Sequence, residues 1–184
     1  MAAEPTPLTP AQRRFREAMT HLSAGVNIVT TDGPGGRAGI TVSAVCSVTD
    51  TPPTLLVCIN RSSRSHGVFR ANAHLCVNVL GTEHEDVALA FAGRVPAEQR
   101  FTATGAVWDH SHAAPVLRGS AVSFLGRVTK TVGRGSHTVI FVEVDQVFPG
   151  PDGEGGLVYH RRRFHPVPAP SAAAGDGLTE KATG

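Results

Sequence analysis

The segment that decides the fold is GITVSAVCSVTDTPPTLLVCIN, residues 39–60, which reads as a strand, a bend and a second strand. Its first half carries hydroxyl side chains at odd-numbered positions: Thr41, Ser43, Ser47 and Thr49. Because strand side chains alternate between two faces, these hydroxyls are expected on one face and Val42, Ala44 and Val48 on the other. Such a thin, polar surface lets a flat ring approach the backbone.

The second half of this segment predicts a buried strand. Pro52 and Pro53 fix the bend, and the apolar run over residues 54–59 follows at once. A plain hairpin that happens to be rich in Ser and Thr is the alternative, because Thr and Val favour strands in any case.

The composition bounds the chain to one folded unit. Its 184 residues suffice for a domain with a core, and contents of 41% hydrophobic and 17% charged residues are ordinary for globular proteins. A net charge of +2 from scattered residues gives no argument for nucleic acid. No apolar run approaches the roughly 20 residues that span a bilayer, and residues 1–10 lack the features of a signal peptide. We therefore expect no nucleic acid and no membrane among the partners.

The cysteines and histidines do not predict a metal site. Cys46, Cys58 and Cys76 lie in apolar, strand-like runs without C-x-x-C spacing. His110 and His112 have no evident third ligand, so we expect no metal. Buried free thiols fit a reducing compartment, which predicts a cytoplasmic protein.

The N-terminal region predicts a helix. Thr9 followed by Pro10 is the pattern of a helix cap with proline at the first helical position. Phe15, Met19 and Leu22 then recur at helical spacing, which predicts that they form one buried face.

The rest of the chain is mostly strand. Further helices are predicted over residues 62–72 and after the capping-box pattern Thr82-Glu-His-Glu85. Strands are predicted over residues 26–31, 74–80, 121–132, 138–148 and 157–159, with a turn at 32–36 and an irregular segment at 94–114. Short helices that interrupt many strands predict a mainly β fold, an antiparallel barrel with helical insertions. We expect an N-terminal extension at 1–10, one domain at 11–167 and a flexible tail at 168–184, where Pro, Ala and Gly prevail.

Two patterns resemble binding sites but also have a plain structural interpretation. Residues 33–38, GPGGRA, have the letters of a dinucleotide fingerprint, but a strand follows where the fingerprint requires a helix, so we interpret them as a hairpin loop. The run from Arg161 to Arg163 is either a solvated strand end or an anion site.

Two short segments have the residue types of a binding site. In Gly135-Ser136-His137 a turn ends in a histidine at the mouth of a strand, where an imidazole can stack, donate a hydrogen bond or exchange a proton; an ordinary turn histidine is the alternative. In residues 60–65, NRSSRS, hydroxyl and guanidinium groups stand between a strand and a helix, where N–H groups favour anions. A simple helix cap at Ser62 or Ser63 explains the same residues.

An ordered series of segments resembles the short-chain flavin reductases of two-component monooxygenases. The segments are LSAGVNIVTT at 22–31, the decisive stretch at 39–60, LCVNVL at 75–80, FAG at 91–93, RF at 100–101, GSH at 135–137 and YHRRRFHPV at 159–167. The resemblance extends over residues 12–167 and is strongest to the reductase components of 4-hydroxyphenylacetate 3-monooxygenases.

The resemblance implies a flavin-reductase-like, FMN-binding split β-barrel with short inserted helices, usually a homodimer. It implies reduction of free FAD or FMN by NADH or NADPH, with NADH favoured, and transfer of the reduced flavin to a separate oxygenase that hydroxylates a phenol.

The resemblance also implies the site residues. Residues implied to line the flavin ring and its ribityl chain are Thr41, Val42, Ser43, Ala44, Ser47, Val48 and Thr49. Those implied to hold the phosphate end are Asn60, Ser62, Ser63 and Arg64, and those implied to border the flavin are Phe91 and Arg100. Tyr159 and Arg162 fall in the C-terminal site segment. His137 matches the histidine of the family's G-D-H motif and is implied to lie at the nicotinamide as the catalytic residue, with Ser136 in place of the common Asp.

Three other functions fit the same residues. They are an oxidase that keeps its FMN, a split-barrel protein that binds flavin or heme without reductase turnover, and a structural barrel with no ligand. NADH-dependent bleaching of added flavin separates the reductase from all three.

Overall fold

The computed structural model describes residues 7–169, so most of the predicted extension and tail lie outside the described residues. The chain begins with helix α1, Pro10–Met19. The Thr9 hydroxyl accepts a hydrogen bond from the Gln12 N–H at 3.2 Å, and the Gln12 side chain accepts one from the Thr9 N–H at 2.8 Å. This reciprocal cap confirms the predicted helix start.

The predicted burial of α1 is wrong within this chain. The relative exposures of Phe15, Met19 and Leu22 are 66%, 45% and 62%, and no residue of the helix is buried. The helix lies outside the core, which other parts of the chain form.

Twelve strands and several short helices follow the first helix. The strands are β1 Ala24–Gly25, β2 Asn27–Thr31, β3 Ala38–Val42, β4 Val45–Asp50, β5 Pro53–Asn60, β6 His74–Val79, β7 Trp108–Asp109, β8 Val116–Leu117, β9 Val122–Arg134, β10 His137–Pro149, β11 Gly156–His160 and β12 Arg163–Val167. The helices are α2 His66–Ala71 and α3 Glu85–Leu89, with 3₁₀ turns at Thr82–His84 and Ala97–Gln99 and a π-helical turn at Ala90–Arg94.

Seven of the strands form one antiparallel sheet in the order β3-β2-β6-β9-β10-β5-β4. Its two edge strands, β3 and β4, are consecutive in the chain and only Ser43 and Ala44 separate them. The edges must therefore lie side by side at this point, where the Ala44 carbonyl accepts a bond from the Cys58 N–H at 3.0 Å. The result is the predicted mainly β, split-barrel fold.

The same junction corrects one prediction about the decisive segment. A single strand was expected from residue 39 to the bend, but the chain leaves β3 after Val42 and starts β4 at Val45. At this break the chain passes from one edge of the sheet to the other, so Ser47 and Thr49 lie on β4 and not on β3 with Thr41.

The core lies on both faces of the sheet, since the neighbours Ile28 and Val29 of β2 belong to different clusters. The largest fully buried side chains are Phe69, Ile59, Leu75 and Ile140 in one cluster and Phe91, Ile28 and Leu80 in the other. Burying one such side chain stabilises the fold by about 1.5–3 kcal/mol, and α1 contributes no buried residue.

Other sequence predictions were shifted or wrong. Helix α2 begins at His66 and not at Ser62, because residues 61–65 form turns. Thr82 does not cap a helix, since its N–H and hydroxyl both bond to Glu154. Strand β12 was not predicted. Cys46 is exposed and not buried, because β4 is an edge strand.

The predicted hairpin loop has a structural counterpart. Residues 32–37 connect β2 and β3, and Ala38, the last residue of the predicted loop, is the first residue of β3. No helix among residues 7–169 is long and apolar enough to cross a membrane.

Candidate active site

A cavity of about 330 Å³ opens where β3 gives way to β4, within the size range of small-molecule sites. We call it the first cavity. It is lined by Ile40, Thr41, Val42, Ser43, Ala44, Cys58, Asn60, Ser63, Phe91, Ala92, Arg100 and His137. Most of these are residues that the sequence predicted as a site, although they come from five separate parts of the chain.

Strand pairing brings His137 and Asn60 together at the rim of the first cavity. They are direct partners in the antiparallel register of β10 and β5. Side chains of such partners project to the same face of a sheet. The turn before β10 has Gly135 at φ +54°, a conformation that glycine adopts without strain.

The imidazole of His137 is exposed and is bonded within its own turn. Its Nδ1 lies 2.9 Å from the Ser136 Oγ. The Ser136 carbonyl in turn accepts a bond from the Arg61 N–H at 2.8 Å, which ties the turn to the end of β5. With Nδ1 engaged by Ser136, Nε2 is the nitrogen left to meet a ligand.

The hydroxyl of Thr41 has an internal partner. It donates to the Ala88 carbonyl at 2.6 Å and so ties β3 to helix α3. The π-helical turn that follows α3 presents Phe91 and Ala92 to the cavity. The Thr41 hydroxyl therefore positions a wall of the first cavity.

An aromatic cluster forms the apolar side of the first cavity. The Phe91 ring lies 5.1 Å from Phe101 and 5.2 Å from Trp108, centroid to centroid. Gly39 makes this packing possible, since a Cβ there would collide with Phe91. The result is a tightly packed apolar cluster, in which Phe101 and Trp108 support Phe91 from behind the cavity.

Arg100 provides a cation in the same cavity. Its Nη1 donates to the Gly39 carbonyl at 2.9 Å, while its buried Nε has no hydrogen-bond partner among residues 7–169. Burial lowers the pKa of this guanidinium, which nevertheless stays charged at neutral pH. A charged group with an unused buried donor fits an anionic or electron-rich ligand.

The predicted phosphate-binding segment reaches this cavity only in part. Asn60 and Ser63 line it, but Ser62 and Arg64 do not. Asn60 Oδ1 accepts bonds from the N–H and the hydroxyl of Ser62, each at 2.9 Å, so the segment is a turn held by its own side chains.

The remaining predicted site residues do not line the first cavity. Ser47, Val48 and Thr49 are exposed on edge strand β4, where the Thr49 hydroxyl accepts a bond from the Thr51 N–H at 3.1 Å. Tyr159 and Arg162 line a second cavity that shares Ser43 and Ala44 with the first. Tyr159 also borders the first cavity, because a third, smaller cavity is lined by Tyr159 together with Thr41, Ser43 and Ala92.

Sequence reasoning missed Cys58 as a lining residue. It lies two positions before Asn60 on β5, so the alternation of a strand puts both side chains on one face, and this signal was available. Burial raises the pKa of the Cys58 thiol, which keeps it neutral. Within the described residues no group of three His, Cys, Asp or Glu side chains is placed to hold a metal.

Known proteins are similar to this chain in sequence and in fold. The profile of the flavin reductase like domain matches residues 19–168. The 4-hydroxyphenylacetate 3-monooxygenase reductase component of Pseudomonas aeruginosa is 49% identical over 170 residues, which are 91% of this chain and 98% of that protein. The FMN reductase (NADH) RutF of Ancylobacter novellus is 50% identical over 157 residues, 85% of this chain and 86% of that protein.

A solved structure extends the likeness to three dimensions. A protein of Haemophilus somnus described as a flavin reductase matches with a TM-score of 0.78 and 35% identity, over 87% of this chain and 100% of that one. The sequence resemblance is thereby confirmed: with a match over most of its length and relatives about half identical to it, this chain belongs to the flavin reductase-like family.

Proposed function

We propose that this protein is an NADH-dependent flavin reductase that reduces free FAD or FMN and supplies the reduced flavin to a separate monooxygenase, one that hydroxylates a phenol. The observation that carries the proposal is the first cavity, which combines a thin backbone wall at residues 41–44, an apolar side at Phe91 and a cation at Arg100.

The residues of the first cavity fit a flavin. The unpartnered Nε of Arg100 is a donor for the carbonyl or nitrogen edge of the ring. Ser43 and Ala44 have small side chains, so a ring can approach the main chain there. Bound flavin supplies the ring that accepts a hydride, and the redox chemistry belongs to the cofactors.

The protein's own contribution is orientation and charge. Arg100 places a positive charge where negative charge grows on the ring during reduction. His137, held by Ser136, directs Nε2 at the rim and orients the nicotinamide. No side chain has to become covalently modified.

The proposed partners rest on relatives and on one exposed surface. The name of the Pseudomonas aeruginosa relative describes a reductase component, which implies a separate oxygenase. The apolar face of α1, formed by Phe15, Met19 and Leu22, is uncovered in the single chain, and a second copy of this chain in a homodimer would cover it. The domain limits at 11–167 and the cytoplasmic location stay predictions.

An NADH-consumption assay with riboflavin, FMN and FAD as acceptors, and with NADPH as the alternative donor, tests the proposal. We expect catalytic bleaching of added flavin by NADH under anaerobic conditions. A protein that binds flavin on desalting but catalyses no bleaching is the non-enzymatic alternative and would refute the proposal.

A further inference from the structure

A hydrogen bond behind the rim of the first cavity joins α2 to the strand that carries His137. Nε2 of His66, the first residue of α2, lies 2.9 Å from the hydroxyl of Thr138 on β10. Thr138 follows His137, and because strand side chains alternate, it projects to the opposite face of the sheet. There it is only 5% exposed, and a buried hydroxyl requires a partner, which the imidazole supplies.

Helix α2 is itself fixed to the barrel beyond His66. Phe69, in the middle of the helix, is 1% exposed and belongs to the core. At the end of the helix, Asn72 accepts a bond from the Gly35 N–H at 2.7 Å and donates one to the Gly36 carbonyl at 2.8 Å. The helix is therefore a firm base for the turn that precedes it.

This turn, at residues 61–65, brings Ser63 to the first cavity next to Asn60. The His66 N–H donates to the Ser63 carbonyl at 3.0 Å, and the Ser63 N–H donates to the Asn60 carbonyl at 3.0 Å. The main chain of His66 is thus connected to both lining residues by hydrogen bonds.

The strand residue His137 has a contact with this segment on each side. The Arg61 N–H donates to the carbonyl of Ser136, the residue before it, at 2.8 Å. The His66 ring bonds to Thr138, the residue after it. The position of His137 relative to the turn therefore depends on both contacts.

The ring of His66 lies among positive charges. Partial burial lowers the pKa of His66, and the charges of Arg70 and Arg61 lower it further. Arg61 faces the ring from the turn and Arg70 from its own helix, whereas β10 contributes the uncharged Thr138. The imidazole is therefore neutral at neutral pH, with one ring nitrogen free to accept a hydrogen bond.

We propose that His66 is a positioning residue of the reductase, which fixes Ser63 relative to His137 across the rim of the first cavity. The inference rests on the proposed function. His66 lines neither the first nor the second cavity, so it acts through the rim residues and not by contact with a ligand. Ser63 is predicted at the flavin phosphate and His137 at the nicotinamide, so the spacing between them matters for how two rings are brought together.

Flavin titration without NADH, followed by quenching of flavin fluorescence, tests the proposal with two ligands. FMN carries a phosphate and riboflavin does not, so only FMN can use the turn at residues 61–65. We expect His66→Ala to weaken FMN binding by about fivefold, the loss typical of one hydrogen bond, and riboflavin binding by less than about twofold. His74→Ala is the matched control, because His74 is a half-buried histidine that lines neither cavity, and both affinities should stay unchanged.

Thr138→Val separates positioning from folding. It removes the hydroxyl with little change of shape, and valine favours strands, so the Tm is expected to be kept while FMN binding weakens as much as in His66→Ala. The double variant His66→Ala with Thr138→Val should bind FMN no more weakly than either single variant, because both changes remove one and the same bond. Losses that add up in the double variant would contradict the proposal.

His66→Gln keeps a group that can bond to the Thr138 hydroxyl but does not titrate. Its FMN affinity near neutral pH should stay within about a factor of two of the wild type. Below the usual pKa of histidine, the wild type should lose more FMN affinity than this variant, because protonation places a third cation beside Arg61 and Arg70. The phosphate of FMN titrates in the same range in both proteins, so the difference between them is the measurement. Identical pH profiles would contradict the proposal.

The same titrations distinguish failure of this inference from failure of the proposed function. Unchanged FMN affinity in His66→Ala and Thr138→Val would overturn the role of His66 while the reductase activity stands. Equal losses for FMN and riboflavin would also overturn it, since they indicate a general disturbance of the cavity. A wild-type protein that binds flavin but reduces none would overturn the proposed function alone, and the affinities would still decide on His66.

Discussion

The Ser136 hydroxyl lies 2.9 Å from Nδ1 of His137, the residue that follows it in the chain. The resemblance implied an aspartate at this position, and the serine here keeps a hydrogen bond to the imidazole without a negative charge beside it. The bond holds the ring at the rim of the first cavity, opposite Asn60 in the strand register.

His137→Ala is expected to raise the KM for NADH by about tenfold or more while flavin affinity stays within a factor of two, because the imidazole orients the nicotinamide only. Steady-state kinetics and flavin titration measure the two effects separately. Ser136→Ala removes only the orienting bond, so a smaller rise of the same KM is expected. His110→Ala, an exposed loop histidine, is the control. Equal losses for NADH and flavin would contradict the assignment.

Arg100→Gln is expected to weaken flavin binding by roughly 10- to 100-fold, because it removes a half-buried cation from the cavity. The same change also removes the bond from Nη1 to the Gly39 carbonyl. Arg100→Lys is not a conservative change either, because a lysine lacks the planar fork of donors. Quenching of flavin fluorescence on titration gives the affinity. An unchanged dissociation constant would show that the unpartnered Nε does not face the flavin.

Gly39→Ala tests how tightly the aromatic wall is packed. The added methyl group would collide with Phe91 and come within 3.2 Å of Phe101, so we expect a loss of about 1–3 kcal/mol in the free energy of unfolding. Chemical denaturation measures this change. Gly156→Ala is the matched control, since a Cβ at this strand glycine meets no atom within 4 Å. If both variants unfold at the same denaturant concentration, Phe91 can move freely and the wall is not rigid.

The strands and most of the first cavity could be predicted from local patterns. The alternation around residues 74–80 and the turn before His137 give strand positions directly, and His137 and Asn60 were both recognised as site residues. What no local pattern contains is the break between β3 and β4. It depends on which strands β3 and β4 pair with, β2 and β5, a long-range constraint, and it places Ser47 and Thr49 on a different strand from Thr41.

The predicted burial of α1 and the predicted capping box at Thr82 were wrong for a related reason. Helical spacing at Phe15, Met19 and Leu22 predicts an apolar face but does not say what covers it. Likewise, the pattern at Thr82 predicts a capping box, yet Glu154, 72 residues away, takes the bonds of that threonine. A contact between distant parts of the chain decided the second case, and in the first case the described residues leave the apolar face uncovered.

The double variant Phe15→Ser with Met19→Ser is expected to convert a dimer into a monomer, because it removes two exposed apolar side chains from the face of α1 that a second copy would cover. Size-exclusion chromatography with light scattering gives the mass. Val107→Ser, at a valine that is 60% exposed in a loop, is the control and should leave the mass unchanged. A double variant that stays dimeric would place the interface elsewhere.

The three thiols are expected to react in a fixed order with iodoacetamide. Cys46 is exposed, whereas burial raises the pKa of Cys58 and raises that of Cys76 to about 12. Because the thiolate is the reactive form and the reagent must reach the sulfur, exposed Cys46 should be labelled first and Cys76 only on unfolding. Bound flavin should slow the labelling of Cys58, which lines the first cavity, and leave Cys46 unaffected. Peptide mass spectrometry with and without FMN measures both, and flavin protection of Cys46 alone would place the flavin outside the first cavity.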